Sequence, residues 1–249
     1  TTTEQSAKSL ALSMSLDVEL RSFQNVSRDF SKLIINCSSQ SMSIKEFRSC
    51  MAVYNEQTFG GIVVDPSLLD EADAAKKRKN YKMFCSCNFP FCGLTSDIVI
   101  NAMVYIKTLR TRSNLSGFFT SVPKINIQAN NWKNVRSFVS EINEVVYEDV
   151  YVSIDPTWCN NPEDLSKMFS ILSGYDKIHP MVYIKGNILE KFEKNINVIS
   201  DLFKSSSVSD INVFLPSSTS IDVVVKCIDL ELGSVVIQPT TALEISRET

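Results

Sequence analysis

Asp149-Val150-Tyr151-Val152-Ser153-Ile154, then Asn161-Pro162-Glu163-Asp164-Leu165, then Met181-Val182-Tyr183-Ile184-Lys185 decide the fold. The first and third segments are short, β-branched and bounded by loop residues, the pattern of a strand. The middle one starts a helix: a polar cap, a proline in the first turn, and acids near the positive end of the dipole. Strand, helix, strand is one crossover unit of a parallel sheet.

Outward from this unit the pattern recurs. Candidate strands are Leu16–Leu20, Gly61–Val64, Lys82–Cys87, Lys124–Gln128, Asp149–Ile154, Met181–Lys185, Ile211–Leu215 and Ser234–Ile237, with helical stretches between most of them, Ile188–Phe203 among these. Eight strands alternating with helices predict an α/β fold, a single (β/α)8 TIM barrel over residues 1–249, with 1–12 as an N-terminal tail or extra helix. A doubly wound open sheet shows the same alternation, but no G-x-G-x-x-G or P-loop supports its nucleotide-binding form.

Composition narrows function. The 249 residues carry a net charge of −3, so no basic excess favours nucleic acid. No apolar run approaches the roughly 18 residues of a membrane span. The first residues lack the regions of a signal peptide, and the expectation is a cytoplasmic protein. Seven cysteines, an odd count without repeating spacing, read as reduced thiols. Cys85, Cys87 and Cys92 cluster, yet buried small thiols are the simpler reading than a metal site, and no cofactor is expected. The single histidine, His179, precedes Pro180 and reads as the end of a loop. Lys76-Lys77-Arg78-Lys79 reads as the exposed end of a helix.

In a barrel, function gathers at the C-terminal strand ends. Lys185 closes an otherwise apolar strand. Two readings are open: a strand-end lysine reaching solvent, or a Schiff-base lysine whose amine is kept neutral by burial or a nearby cation.

Three pieces in order resemble the deoxyribose-phosphate aldolase family. Leu16-Asp17-Val18-Glu19-Leu20 is similar to its first-strand I-D-H-T-L. Gly61-Ile62-Val63-Val64-Asp65-Pro66 followed by Cys87-Asn88-Phe89-Pro90 is similar to its second strand and N/G-F-P turn. Met181–Lys185 is similar to the strand ending in the catalytic F-I-K, and Phe214-Leu215-Pro216 stands where F-K-P follows. The resemblance covers about residues 13–243. It implies a class I aldol reaction that splits 2-deoxyribose 5-phosphate into acetaldehyde and glyceraldehyde 3-phosphate.

Carried over, the resemblance assigns Lys185 to the Schiff base and Asp17 to the first-strand aspartate. The fourth-strand aspartate falls on Asn126, the fifth-strand lysine on Tyr151, and the acid at that strand's end on Asp155. The seventh-strand lysine falls on Leu215, which would put an apolar wall beside Lys185. Phosphate-binding positions fall on Ser217, Ser218 and Gln238, and Pro239 removes a backbone donor there. The leading expectation is an aldolase homologue with a degraded site, serving as a scaffold or binding module for a protein partner. The alternatives are an active aldolase taking a sugar phosphate or small aldehyde through Lys185, and an enzyme for an unphosphorylated substrate. The resemblance also implies a homodimer. Trp132 and Trp158 are expected beyond the fourth and fifth strands, filling the mouth or lining a pocket.

Overall fold

The computed structural model describes residues 30–38, 42–53, 59–76, 80–90, 93–109, 114–184, 211–215 and 219–248. Eight parallel strands close into a barrel in sequence order: β1 (Leu33–Cys37), β2 (Gly61–Val64), β3 (Lys82–Ser86), β4 (Gly117–Ser121), β5 (Asp149–Ile154), β6 (Ile178–Tyr183), β7 (Asn212–Phe214) and β8 (Val235–Ile237), with β8 paired back to β1. The described helices are α1 (Ile44–Val53), α2 (Leu69–Lys76), α3 (Ser96–Leu109), α4 (Lys124–Gln128), α5 (Trp132–Val145), α6 (Pro162–Leu172), α7 (Ile221–Asp229) and α8 (Pro239–Glu248). The expected single (β/α)8 barrel is the observed fold. No helix among the described residues is long and apolar enough to cross a membrane.

Strands covered on both faces must be apolar on both, and β1 and β4 are buried at every position. Alternation divides them between two cores. Leu33, Ile35, Ile62, Val64, Val150 and Val152 face outward into the layer under the helices. Ile34, Val63, Phe84, Phe119, Met181 and Phe214 face inward. The helices supply the other wall: α5 buries Val135, Phe138, Val139 and Ile142, a helical stripe. Caps fix where helices begin. Asn161 accepts from the Asp164 amide at 2.9 Å, as its sequence predicts. Ser43 and Glu46 form a reciprocal capping box ahead of α1: the Glu46 amide donates to the Ser43 hydroxyl, and the Ser43 amide to the Glu46 carboxylate.

Two expected strands are corrected. The first barrel strand is Leu33–Cys37, whose run Leu-Ile-Ile is apolar on both faces; Leu16–Leu20 lies outside the described residues, as does Ile188–Phe203. The fourth strand is Gly117–Ser121, and Lys124–Gln128 is helix α4. Its alternating isoleucines imitate a strand, but Pro123 (φ −54°) turns the chain out of the barrel, burying Ile127 and leaving Ile125 70% exposed. His179 and Pro180 belong to β6 rather than to a loop.

Gly117 is fixed by space. A Cβ there would sit 1.9 Å from the Asp149 carbonyl oxygen on the neighbouring strand. Gly117→Ala is expected to cost about 1–3 kcal/mol by forcing β4 and β5 apart. A urea melt tests this, and an unchanged midpoint would refute it.

Cys85 is buried in the outer layer and Cys87 is also buried; Cys92 lies outside the described residues. Burial pushes Cys159 up to about 11 and Cys227 to about 12, so both stay protonated near neutrality. Lys76, at the end of α2, donates to the Asn114 carbonyl at 2.7 Å, so the start of the basic run is partly buried.

Candidate active site at the barrel mouth

The C-terminal strand ends build the mouth. After β1, the Ser38 amide and hydroxyl both donate to the Asn36 side-chain oxygen. After β2, burial alone pushes the Asp65 carboxyl above its ordinary value. After β3, the Ser86 hydroxyl donates to the Phe89 carbonyl at 3.0 Å and Asn88 takes a left-handed φ of 63°, its side chain accepting from the Leu94 amide. This turn, with a cis Phe89–Pro90 bond, drops Phe89 into the barrel. After β5, Asp155 is 1% exposed, and its carboxylate accepts from the Thr157 amide (3.0 Å) and hydroxyl (2.6 Å), capping the turn Pro156–Trp158.

Below these polar ends runs an aromatic column. Phe89 meets Phe119 edge-on at 5.4 Å and Phe214 at 4.9 Å. Phe119 stacks on Tyr151 (4.8 Å, 26°) and tilts on Phe84 (5.2 Å). Tyr183 stacks on Phe214 (4.9 Å, 25°). Such pairs add to plain burial when offset or edge-on. Ser121 is fully buried on the same inward face, and its hydroxyl has no hydrogen-bond partner among the described residues.

The expected site residues fall in different places. Lys185, Asp17, Ser217 and Ser218 lie outside the described residues. Asp155 sits at the mouth. Tyr151 and Ser153 share the inward face, but the Tyr151 hydroxyl bonds Ser234 (3.2 Å) and lines a cavity at the opposite, N-terminal pole. Burial raises the Tyr151 phenol above its ordinary value. Asn126, expected on a strand, stands on α4 beyond β4 in a rim groove with Asn134 and Glu141. The inward positions of β4 are Phe119 and Ser121. Leu215, expected beside Lys185, packs in the outer layer because alternation from Phe214 turns it away. Gln238 is half-buried, and its carbonyl accepts the Ala242 amide as α8 begins. Trp132 and Trp158 pack against the outer layer rather than inside the mouth, beneath Lys167 and Lys124 respectively. Sequence reasoning missed Asn36, Ser86, Phe119 and Ser121; alternation from Ile34 and Phe84 points to the first two, and the other two went with the misplaced fourth strand.

No family model and no curated protein sequence matches the chain. Solved structures do. The aldolase QR15 superposes with a TM-score of 0.68 at 14% identity, over 90% of this chain and 96% of its own. The tetrameric deoxyribose phosphate aldolase from Aeropyrum pernix gives 0.65 at 12% identity, over 88% and 89%. Triosephosphate isomerase from Bartonella henselae, another barrel, gives 0.54 at 11% identity, over 87% and 98%. The likeness read in the sequence is therefore matched in three dimensions: this chain has the fold of the deoxyribose-phosphate aldolases.

Proposed function

We propose that this chain is an aldolase-fold barrel in which aldol chemistry has lapsed and which serves as a scaffold or binding module for a protein partner. The observation that carries this reading is the stacked pair of Phe119 and Tyr151 on the inward faces of β4 and β5. A Schiff-base lysine reacts only as the neutral amine, so it needs a neighbouring cation or an apolar, water-free wall, and a second group to move protons at the enamine carbon. From mid-strand to the mouth the inward positions of β4 and β5 supply Phe119, Ser121, Tyr151 and Ser153, none of which is a carboxylate or an amine, while Asp149 on the same face stands at the far, N-terminal end of β5 and binds His179. Asp155 is a carboxylate at the mouth, but it caps its own turn, and a nearby anion would hold a lysine in the charged form.

One observation favours a second reading. Asp155 is buried at the end of β5, which pairs with β6, the strand that leads to Lys185. A buried acid there is compatible with slow class I cleavage of 2-deoxyribose 5-phosphate through an imine on Lys185.

Borohydride trapping separates the two. The protein is incubated with 2-deoxyribose 5-phosphate or acetaldehyde, reduced, and read by intact and peptide mass spectrometry beside a competent aldolase. The expected result is no adduct at Lys185 above that at surface lysines. A reduced adduct on Lys185 that is absent in Lys185→Met overturns the lapsed reading and establishes the second.

A further inference from the structure

The barrel has a cavity at the pole opposite its mouth. About 530 Å³ opens at the N-terminal ends of β5 to β8, within the roughly 300–1,000 Å³ of small-molecule sites. Its inner wall ends the aromatic column: Tyr151, backed by Phe119, carries the His179 ring at 4.9 Å and 35°. Phe169 and Pro180 add an apolar flank, and Tyr175 stands at its edge.

Hydrogen-bonding groups converge on the same space. The Tyr151 and Ser234 hydroxyls lie 3.2 Å apart, and one hydrogen serves the bond between them, so the pair keeps a second O–H and free lone pairs. Lys32 gives one N–H to the Leu232 carbonyl at 3.1 Å and has two more. His179 binds Asp149 through Nε2 at 3.0 Å, leaving Nδ1 as an acceptor in the neutral ring. Charge is balanced. Lys32 and Asp176 line the cavity with opposite signs, and the Asp149 carboxylate is shared by His179 and Lys177. A ligand of either net charge would meet a like charge as well as an opposite one.

We propose that this N-terminal cavity binds an uncharged planar ring with a hydrogen-bonding edge, the chemistry of a nucleobase, taken as the free base or as its nucleoside. The ring continues the aromatic stack on His179, and its carbonyl and N–H groups meet the Tyr151–Ser234 hydroxyl pair and Lys32. The site is independent of the mouth and of whether Lys185 reacts.

Calorimetric titrations and saturation-transfer NMR with adenine, uracil, adenosine and uridine test this, with phenol as a flat ring lacking the edge. Saturable binding of bases or nucleosides, and weaker binding of phenol, is expected. If only the nucleosides bind, the source is a nucleoside; if the bases bind equally, the sugar is dispensable. Tyr151→Phe keeps the ring and removes one hydroxyl, and should weaken binding about three- to tenfold. Ser234→Ala should do likewise, and thermal melts verify that both variants fold. Lys185→Met, which follows the C-terminal end of β6 in the sequence, should bind as the parent does. No saturable binding up to about 10 mM overturns the proposal. So does affinity unchanged in both hydroxyl variants, affinity lost in Lys185→Met, or phenol binding as tightly as the bases.

Discussion

Phe119→Ala is expected to lower the unfolding free energy by about 3–5 kcal/mol, the range for removing a buried aromatic from a packed core. Phe119 is fully buried and touches Phe84, Phe89 and Tyr151, so truncation leaves a cavity bounded by three rigid rings that cannot easily collapse. For a chain of this size each kcal/mol moves the melting temperature by about 2–4 °C, so a fall of about 6–20 °C should be seen by calorimetry. Ile125→Ala, a few residues on but 70% exposed, is the control and should stay within about 0.5 kcal/mol. A double-mutant cycle of Phe119→Ala with Tyr151→Ala should give a coupling of about 0.5–1.5 kcal/mol from the stacked pair. A loss below about 1 kcal/mol for Phe119→Ala would mean that the column is loosely packed, and the lapsed-site reading would lose its support.

The column also explains how the barrel separates its two ends. A TIM-barrel interior is a packed core rather than a pore, commonly filled by branched aliphatic side chains. Here aromatic rings do most of that work, from Tyr183 and Phe89 near the mouth to Tyr151 and His179 near the far pole. A ring reaches further than a valine, so a residue from mid-strand can act at either end. Tyr151 is the case in point. Its place on the strand was legible, since Tyr151, Ser153 and Asp155 alternate to one face. The direction of its hydroxyl was not, because it depends on Ser234, 83 residues away and just ahead of β8.

The same limit explains the other departures from the sequence reading. β2 and β5 were legible to the residue because β-branched runs ended at clear turns. β4 was not, since Lys124–Gln128 has period-two isoleucines and is too short for helical periodicity to show. Gly117-Phe118-Phe119-Thr120-Ser121 opens with a glycine that reads as a turn, while its function is close strand approach. Leu215 was placed inward by analogy with a motif, whereas its neighbour Phe214 takes the inward position. His179-Pro180 looked like a loop because proline is rare within a paired strand. Its carbonyl is held here by a side chain that no local pattern reveals.

That side chain is Asn212, and its replacement by leucine should cost about 2–6 kcal/mol. Asn212 is 7% exposed on β7. Its Nδ2 donates to the Pro180 carbonyl on β6 at 2.9 Å, and its Oδ1 accepts the Ser234 amide, just ahead of β8, at 2.7 Å. One amide thus ties the two flanking strands across the strand between them, next to a proline that has no N–H to give. Leucine matches the volume but takes away the donor at Pro180 and the acceptor at Ser234, and each buried group left without its partner costs about 1–3 kcal/mol. Asn212→Asp keeps an acceptor for the Ser234 amide and loses the donor, so it should fall between the parent and the leucine variant near neutral pH. Hydrogen exchange adds a local readout: the Ser234 amide should exchange faster in Asn212→Leu while amides of β2 and β3 follow only the global change. Because Ser234 also holds the Tyr151 hydroxyl, the leucine variant should weaken ligand binding at the N-terminal cavity although it removes no aromatic group there. A leucine variant within about 0.5 kcal/mol of the parent, with unchanged exchange at Ser234, would show that the Asn212 amide does not carry the tie between Pro180 and Ser234.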